Sequence, residues 1–300
     1  MIEGIFVEGL VYGIMVLGVF ITFRILDFPD LTVDGSFPLG AAIFASMVTA
    51  GMPIIIAILT AFVGGIICGA ITAIIHNKLK VPSLLAGILT MTMLYSVNIR
   101  VLGNKANLPL LGAETALSKV VQVTQSILGS GISESWIILA FFVIIALCIK
   151  FLLDLFFHTD LGLTLGALGS NEQMVISQGV NPELLKIIGV GVSNGIVALS
   201  GAFAAQYQGF ADVSLGQGIV ITGLASVMIG EFFIQSNKIG FLTLRVLIGS
   251  IVFKGIMYLG RYYGYYIHMT PNDLKLITGL MIILSLYLTK IKSLKKTART

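Results

Sequence analysis

Apolar runs of about 20 residues recur along this chain roughly every 25 to 35 residues. A run of this length can cross the hydrocarbon core of a bilayer as a single helix. The composition agrees with this interpretation, because 57% of the 300 residues are hydrophobic and 11% are charged. A soluble domain needs about 25% charged residues to solvate its surface. The pattern therefore predicts an all-α polytopic membrane protein and argues against a soluble enzyme.

Nine runs are long enough, or nearly so, to span a membrane. They predict transmembrane helices at residues 4–26, 36–50, 53–75, 82–102, 136–157, 187–206, 217–234, 239–260 and 273–290. Five of the 18 lysines and arginines lie between Lys290 and Arg299. Basic residues beside a span favour the cytoplasmic side. We therefore expect the tail 291–300 and the C-terminus in the cytoplasm and, with nine spans, the N-terminus outside.

The chain resembles itself at an offset of 182 residues, where Phe28–Val33 reads like Phe210–Leu215. Spans one to four, about 4–102, therefore correspond to spans six to nine, about 187–290. The connecting region 103–186 holds a single span. Because this number is odd, the second half of the chain has the opposite orientation in the membrane from the first half. Two inverted four-helix repeats joined by one span are typical of transporters, whose path lies between the halves.

The segment 158–186 between the fifth and sixth spans carries signals of a short helix. Ser170 followed by Gln173 matches a capping box, and Gly179 suits the left-handed residue that ends a helix. Asn181 is then expected to cap the next helix. We predict a short helix lying across the cytoplasmic face, with an ordinary connecting loop as the alternative.

Four short motifs occur in a defined order along the chain. They are Asp30-Leu-Thr-Val-Asp-Gly-Ser36, Thr159-Asp-Leu-Gly162, Ala167-Leu-Gly-Ser-Asn-Glu172 and Gly179-Val-Asn181. Together they resemble ABC-importer permeases of the ribose and branched-chain amino-acid type, and the resemblance covers nearly the whole chain. Leu26–Phe37 is most similar to a branch linked to aromatic amino-acid uptake. The family's usual basic residues near Asp160 and Leu163 are absent, so docking is expected without salt bridges from these two positions.

The resemblance implies one transmembrane permease domain, 1–300, in a bacterial cytoplasmic membrane. It also implies a second permease copy, expected as a homodimer, a cytoplasmic ABC ATPase dimer and an extracytoplasmic solute-binding protein. The short helix would dock into the ATPase. Its candidate coupling residues are Gly169, Ser170, Asn171, Glu172, Gln173, Gly179, Val180 and Asn181.

The P-loop motif of ATPases is absent from the sequence. A P-loop requires Gly-x-x-x-x-Gly-Lys-Ser/Thr, and the chain lacks even a Gly-Lys pair. ATP and Mg²⁺ are therefore expected on the partner ATPase. For this chain we expect no cofactor, no metal site and no nucleic-acid partner, and membrane lipid around it.

Polar residues at matching breaks in the two halves are candidates for the solute path, since broken segments mark such sites in transporters. They are Asp30, Thr32, Asp34, Ser36, Asp212 and Ser214. The alternative is that Asp30 and Asp212 merely cap the helices that follow them.

The predicted function is inward transport of a small polar solute, an amino acid and possibly an aromatic one, by alternating access. Two other functions stay open on the sequence alone. An ion-coupled secondary transporter would use Glu231 or the aspartates as carriers, and a membrane-embedded lipid-modifying enzyme would use Ser193 or a histidine. Intramembrane charges such as Arg245 and Lys254 are expected to be structural or to line the path. Residues 113–127 predict an amphipathic surface helix that contacts the binding protein or covers the spans.

Overall fold

The computed structural model describes residues 2–128, 133–234, 236 and 238–264, with single positions at 276, 279, 280 and 283. Almost all of the described chain is helical. Its elements are α1 (Ile2–Phe20), a π-helical extension (Ile21–Ile25), α2 (Val33–Thr49), α3 (Ile54–Leu79), α4 (Ser83–Val101), β1 (Asn107–Pro109), α5 (Ala116–Leu128), α6 (Glu134–His158), α7 (Asp160–Ser170), α8 (Glu172–Ser177), α9 (Pro182–Gln208), β2 (Phe210–Asp212), a 3₁₀ turn (Val213–Gly216), α10 (Ile219–Phe233) and α11 (Ile239–Gly264).

Seven helical segments of the described chain are long and apolar enough to cross a bilayer, and α2 is a shorter apolar helix. The predicted spans from the first to the eighth each coincide with one of these helices, with boundaries shifted by a few residues. The predicted ninth span, 273–290, and the tail 291–300 lie outside the described residues apart from isolated positions. The arrangement as two inverted repeats stays a prediction.

Helix α9 forms the centre of the bundle and is buried along most of its length. It packs against α1, α2 and α3, and small residues allow the backbones to approach closely. A side chain on Gly40 of α2 would overlap the carbonyl group of Ala198 on α9, and one on Gly201 would overlap that of Phe37. Helix packing of this kind lets α9 bring side chains from several helices into contact.

Helix α2 begins inside the bundle rather than at its surface. The chain leaves the π-helical extension of α1 as an irregular segment, and α2 starts at Val33. Ser36 then hydrogen-bonds to Asn194, which lies about 20 Å from each end of α9 at a rise of 1.5 Å per residue. Irregular backbone at such a depth is tolerated where protein surrounds it. Asp30, within this segment, is fully buried.

A two-stranded sheet closes the end of the bundle opposite α8. Strands β1 and β2 pair antiparallel, with Asn107 opposite Asp212. This sheet was not predicted from the sequence. Helix α5 confirms the predicted amphipathic helix near residues 113–127, and its first amide, that of Ala116, donates to Oε1 of Gln206 at 3.0 Å. The sheet and α5 thus join the α4–α6 connection to the end of α9.

Candidate functional site

The predicted short helix between the fifth and sixth spans is present as α8, and it follows a separate helix, α7. The predicted capping box is wrong by one position. Ser170 is the last residue of α7, and its hydroxyl donates to the carbonyl of Ala167 at 2.9 Å. Asn171 instead has the extended backbone that an N-cap needs, and its Oδ1 accepts from the amide of Met174 at 3.1 Å. Gln173 is the second residue of α8.

The end of α8 follows the sequence prediction. Gly179 has φ of +79°, as expected for the left-handed residue after a helix. Asn181 caps α9, because its Oδ1 accepts from the amide of Glu183 at 2.9 Å. A cap on each side fixes α8 firmly between α7 and α9. Motion of either neighbour would therefore be passed to α8.

Most of the predicted coupling residues lie on an exposed surface. Between residues 171 and 181 one side chain, that of Val175, is buried and anchors α8 to the core. The apolar side chains of Met174, Ile176 and Val180 are exposed by 46%, 50% and 36%. We call Met174, Ile176 and Val180 the α8 surface.

Glu172 and Gly169, two further coupling residues, contact helices outside the α7–α8 segment. Glu172 forms an ion pair with Lys186 on α9, at 2.9 Å between Oε1 and Nζ. Gly169 packs so closely on the end of α1 that a side chain there would overlap the carbonyl of Ile25. Both residues therefore join the α7–α8 segment to the spanning helices.

Three of the predicted path residues, Asp30, Thr32 and Ser36, belong to one buried hydrogen-bond network. Asn194 donates from Nδ2 to Oδ2 of Asp30 at 2.7 Å, and its Oδ1 accepts from the hydroxyl of Ser36 at 2.7 Å. Thr32 reaches Thr72 of α3, with 2.7 Å between the hydroxyl oxygens. The network joins α2, α3 and α9 in the middle of the bundle.

Asp30 also makes a local contact, although it does not cap α2 as the alternative prediction proposed, because the N-cap of α2 is Thr32. Its Oδ1 accepts from the backbone amide of Thr32 at 2.8 Å, just before α2 begins. Asp30 therefore supports the start of α2 and binds Asn194 at the same time. Asn194 and Thr72 were not singled out from the sequence. Polar side chains within apolar spans are the signal that could have identified them.

Asp34 lies apart from this network, where the first turns of two helices meet. It belongs to the first turn of α2, and its carboxylate accepts from the amides of Gly218 and Val220, each at 3.0 Å. Gly218 and Val220 belong to the start of α10. Helix N-termini carry partial positive charge and unpaired amides, so both ends favour a carboxylate here.

The structure does not bring Asp212 and Ser214 into the buried network. Asp212 caps the 3₁₀ turn by accepting from the amide of Ser214, and it also accepts from Nδ2 of Asn107 at 3.2 Å. Partial burial raises the pKa of the Asp212 carboxyl, but the hydrogen bonds from Ser214 and Asn107 outweigh this effect and hold the pKa below its usual value. For Asp212 the capping alternative therefore describes the geometry.

The charges within the spans that were singled out from the sequence form ion pairs. Oε1 of Glu231 on α10 accepts from Arg24 at 2.7 Å and from Arg245 of α11 at 2.8 Å. Nζ of Lys254 lies 3.4 Å from Glu8 and 3.3 Å from the centre of the Tyr12 ring. These contacts hold α1, α10 and α11 together, as the structural interpretation of Arg245 and Lys254 predicts.

Comparison with known proteins assigns the chain to a family. The model of the permease component of branched-chain amino acid transport systems matches residues 1–286. The chain belongs to this family. The predicted resemblance to ABC-importer permeases of the ribose and branched-chain amino-acid type is thereby confirmed, and the protein is a multi-pass membrane permease.

Individual relatives of the permease cover most of its length. The tyrosine transport system permease protein of Clostridioides difficile (strain R20291) is 40% identical, over 99% of this chain and 94% of that protein. The ribose import permease of Haemophilus influenzae (strain ATCC 51907 / DSM 11121 / KW20 / Rd) is 25% identical, over 79% of this chain and 68% of that protein. In structure, the permease is similar to an inward-facing ABC transporter of metal-chelate type, with a TM-score of 0.50 at 15% identity, over 98% of this chain and 86% of that one. This likeness supports the fold.

Proposed function

We propose that this permease imports an amino acid, with aromatic amino acids as the preferred class, in a complex driven by a separate ATPase. The relative named as a tyrosine transport permease supports the solute class, since it is 40% identical over almost the whole chain. The proposed complex contains two permease copies, a cytoplasmic ABC ATPase dimer that binds ATP and Mg²⁺, and an extracytoplasmic solute-binding protein. The C-terminus faces the cytoplasm and the N-terminus the outside.

The exposed apolar α8 surface is the observation that supports the proposed ATPase partner. A helix of six residues is held by caps at both ends and exposes Met174 and Ile176. Such a helix can bind a partner and transmit its movement to α7 and α9. ATP drives transport if its binding to the partner favours one permease conformation over another. The permease then does no covalent chemistry of its own.

The contacts of two residues weigh against the alternative functions. Glu231 joins two arginines on neighbouring helices, which is a structural arrangement rather than that of an ion carrier facing a path. Ser193 is fully buried, and its hydroxyl donates to the carbonyl of Gly18 at 2.7 Å. A nucleophilic serine needs access to its substrate, so a lipid-modifying activity has no support at this position.

Co-purification tests the proposal. The tagged permease is expressed with the products of its chromosomal neighbours, and the amount of P-loop ATPase retained on it is measured in detergent. We expect Met174→Asp to lower this amount about tenfold, because a charge would be buried in an apolar contact. Leu111→Asp is the matched control, since Leu111 is 91% exposed at the opposite end of the bundle. Equal retention by wild type, Met174→Asp and Ile176→Asp would refute docking at α8.

Uptake of radiolabelled L-tyrosine by cells tests the solute class. We expect uptake to require both the permease and an ATPase with an intact P-loop. Uptake that a proton gradient alone drives in vesicles without the ATPase would favour the secondary transporter.

A further inference from the structure

A cavity of about 250 Å³ opens between α2, α4 and the 3₁₀ turn that precedes α10. Pro38, Met91, Tyr95 and Val213 contribute apolar walls. Asp34, Thr92, Asn98 and Gln217 contribute polar groups. A mostly apolar pocket with a few placed polar groups is the usual form of a small-molecule site. Its volume lies slightly below the range for drug-sized ligands, which suits a solute as small as one amino acid.

Asn98, which lines this cavity, carries an unused hydrogen-bond acceptor. The side chain is 1% exposed, and its Nδ2 donates to the carbonyl of Gly35 at 3.1 Å. This bond fixes the amide and leaves Oδ1 as the free end. Within the described part of the chain, Oδ1 of Asn98 has no hydrogen-bond partner. Buried polar atoms are almost always paired, so an unpaired one on a residue that lines a cavity points to a missing donor.

Asp34 lies one residue before Gly35 and lines the same cavity. Its two oxygens accept from the backbone amides of Gly218 and Val220, and the amide of Ile219 also interacts with the carboxylate. A carboxylate has about four lone-pair positions, so acceptor capacity remains. The cavity thus combines a carboxylate with an unpaired amide oxygen. A positively charged group with several N–H donors satisfies both, and an ammonium group has three.

We infer that this cavity is a solute subsite of the permease, in which Asp34 and Asn98 bind the ammonium group of an amino acid and the apolar walls bind its side chain. The ring of Tyr95 is 54% exposed at the mouth of the cavity and provides a face on which an aromatic side chain packs. The inference rests on the proposed function and adds to it the chemical group that the permease itself recognises. It predicts that the permease itself rejects solutes that lack an amine, independently of any selection by a binding protein.

Binding to the full-length permease in lipid nanodiscs tests the inference. Competition against radiolabelled L-tyrosine is measured with tyramine, which keeps the amine and lacks the carboxylate, and with 3-(4-hydroxyphenyl)propionate, which lacks the amine. We expect tyramine to compete. We expect 3-(4-hydroxyphenyl)propionate to compete at least about tenfold more weakly, as the loss of a hydrogen bond to a charged group implies.

Three variants assign the effect to the cavity. Asn98→Leu keeps the approximate shape of the side chain and removes both the Oδ1 acceptor and the Nδ2 bond to Gly35. Tyr95→Ala removes a cavity wall that is 54% exposed. Met93→Ala is the matched control, because Met93 is exposed by 51% on the same helix and does not line the cavity. We expect the first two to weaken tyrosine binding about tenfold or more and Met93→Ala to match wild type. If Asn98→Leu fails to fold, the tyrosine binding of Tyr95→Ala relative to Met93→Ala tests the subsite.

The outcomes separate this inference from the proposed function. If cells import tyrosine with the ATPase but the two analogues compete equally, the subsite is refuted and the importer stands. The same holds if Tyr95→Ala and Asn98→Leu bind tyrosine like Met93→Ala. If wild-type cells import no amine-bearing solute and the nanodisc sample binds none, the proposed solute class and the subsite are both refuted.

Discussion

The carboxylate of Asp34 accepts a hydrogen bond from the backbone amide of Val220 at 3.0 Å, which joins the first turn of α2 to the first turn of α10. The amide of Gly218 donates to the other oxygen. The first amides of a helix have no partner within it, so a carboxylate from elsewhere satisfies them. Asp34 thereby fixes how two helices of the bundle meet, beside the cavity proposed to bind solute.

Replacing Asp34 tests this joint. Asp34→Ala leaves the amides of Gly218 and Val220 unpaired, and we expect the free energy of unfolding to fall by about 2–4 kcal/mol. Asp34→Asn keeps one acceptor and should cost about 1 kcal/mol. Thermal unfolding in detergent measures both. Asp27→Asn is the control, because Asp27 is exposed and Asn tolerates its φ of +50°. Equal unfolding temperatures for Asp34→Ala and Asp27→Asn would contradict the prediction.

Asn194 is the residue on which the buried network depends. Asn194→Leu leaves Oδ2 of Asp30 and the hydroxyl of Ser36 unpaired, and we expect it to lower the free energy of unfolding by about 2–5 kcal/mol. Ser193→Ala, one position earlier, loses a single bond to Gly18 and should cost about 1 kcal/mol. Unfolding by heat or denaturant compares the two variants. A milder effect of Asn194→Leu than of Ser193→Ala would show that the network contributes little.

Ser193→Ala also separates the importer from the lipid-modifying enzyme. We expect this variant to import tyrosine like wild type, because its hydroxyl only bonds to a buried carbonyl. A folded Ser193→Ala protein without activity would favour the hypothesis of a lipid-modifying enzyme.

The lengths of the apolar runs were sufficient to predict most of the transmembrane helices. The predicted span 82–102 is α4, Ser83–Val101, and 136–157 is α6, Glu134–His158. Each run is long enough to specify a helix without knowledge of its neighbours. The caps at Gly179 and Asn181 were predictable for the same reason, because their signals lie within a few residues.

Contacts between segments that are distant in the sequence could not be predicted from such local patterns. The pairing of Asn107 with Asp212 joins two strands of three residues, too short to show an alternating pattern. Helix α7 contains three glycines, at 162, 166 and 169, and has low intrinsic helix propensity. Packing holds it, since Gly169 lies against the end of α1. A sequence can place Asn194 in a span, but only the fold supplies Asp30 as its partner.

The ion pairs of Glu231 should differ sharply in their contributions. Glu231→Gln leaves the guanidinium of Arg245, whose side chain is 9% exposed, without its carboxylate. We expect the free energy of unfolding to fall by about 3–5 kcal/mol, as when one partner of a buried pair is removed. Arg24→Ala should cost no more than about 1 kcal/mol, because the Arg24 side chain is 60% exposed. Unfolding temperatures compare the two, and a larger loss from Arg24→Ala would contradict the assignment.

The sheet between β1 and β2 should weaken in acid. The hydrogen bonds from Ser214 and Asn107 hold the pKa of Asp212 below its usual value. A depressed pKa adds stability above the unfolded value, about 3.9, and this stability is lost as the pH falls through the folded value. Hydrogen exchange of the Val213 amide, which bonds to the carbonyl of Ala106 at 3.0 Å, reports on the sheet. We expect its protection factor to drop below about pH 4 in wild type and to stay nearly constant in Asp212→Asn. A wild-type pH profile in Asp212→Asn would mean that another group controls the sheet.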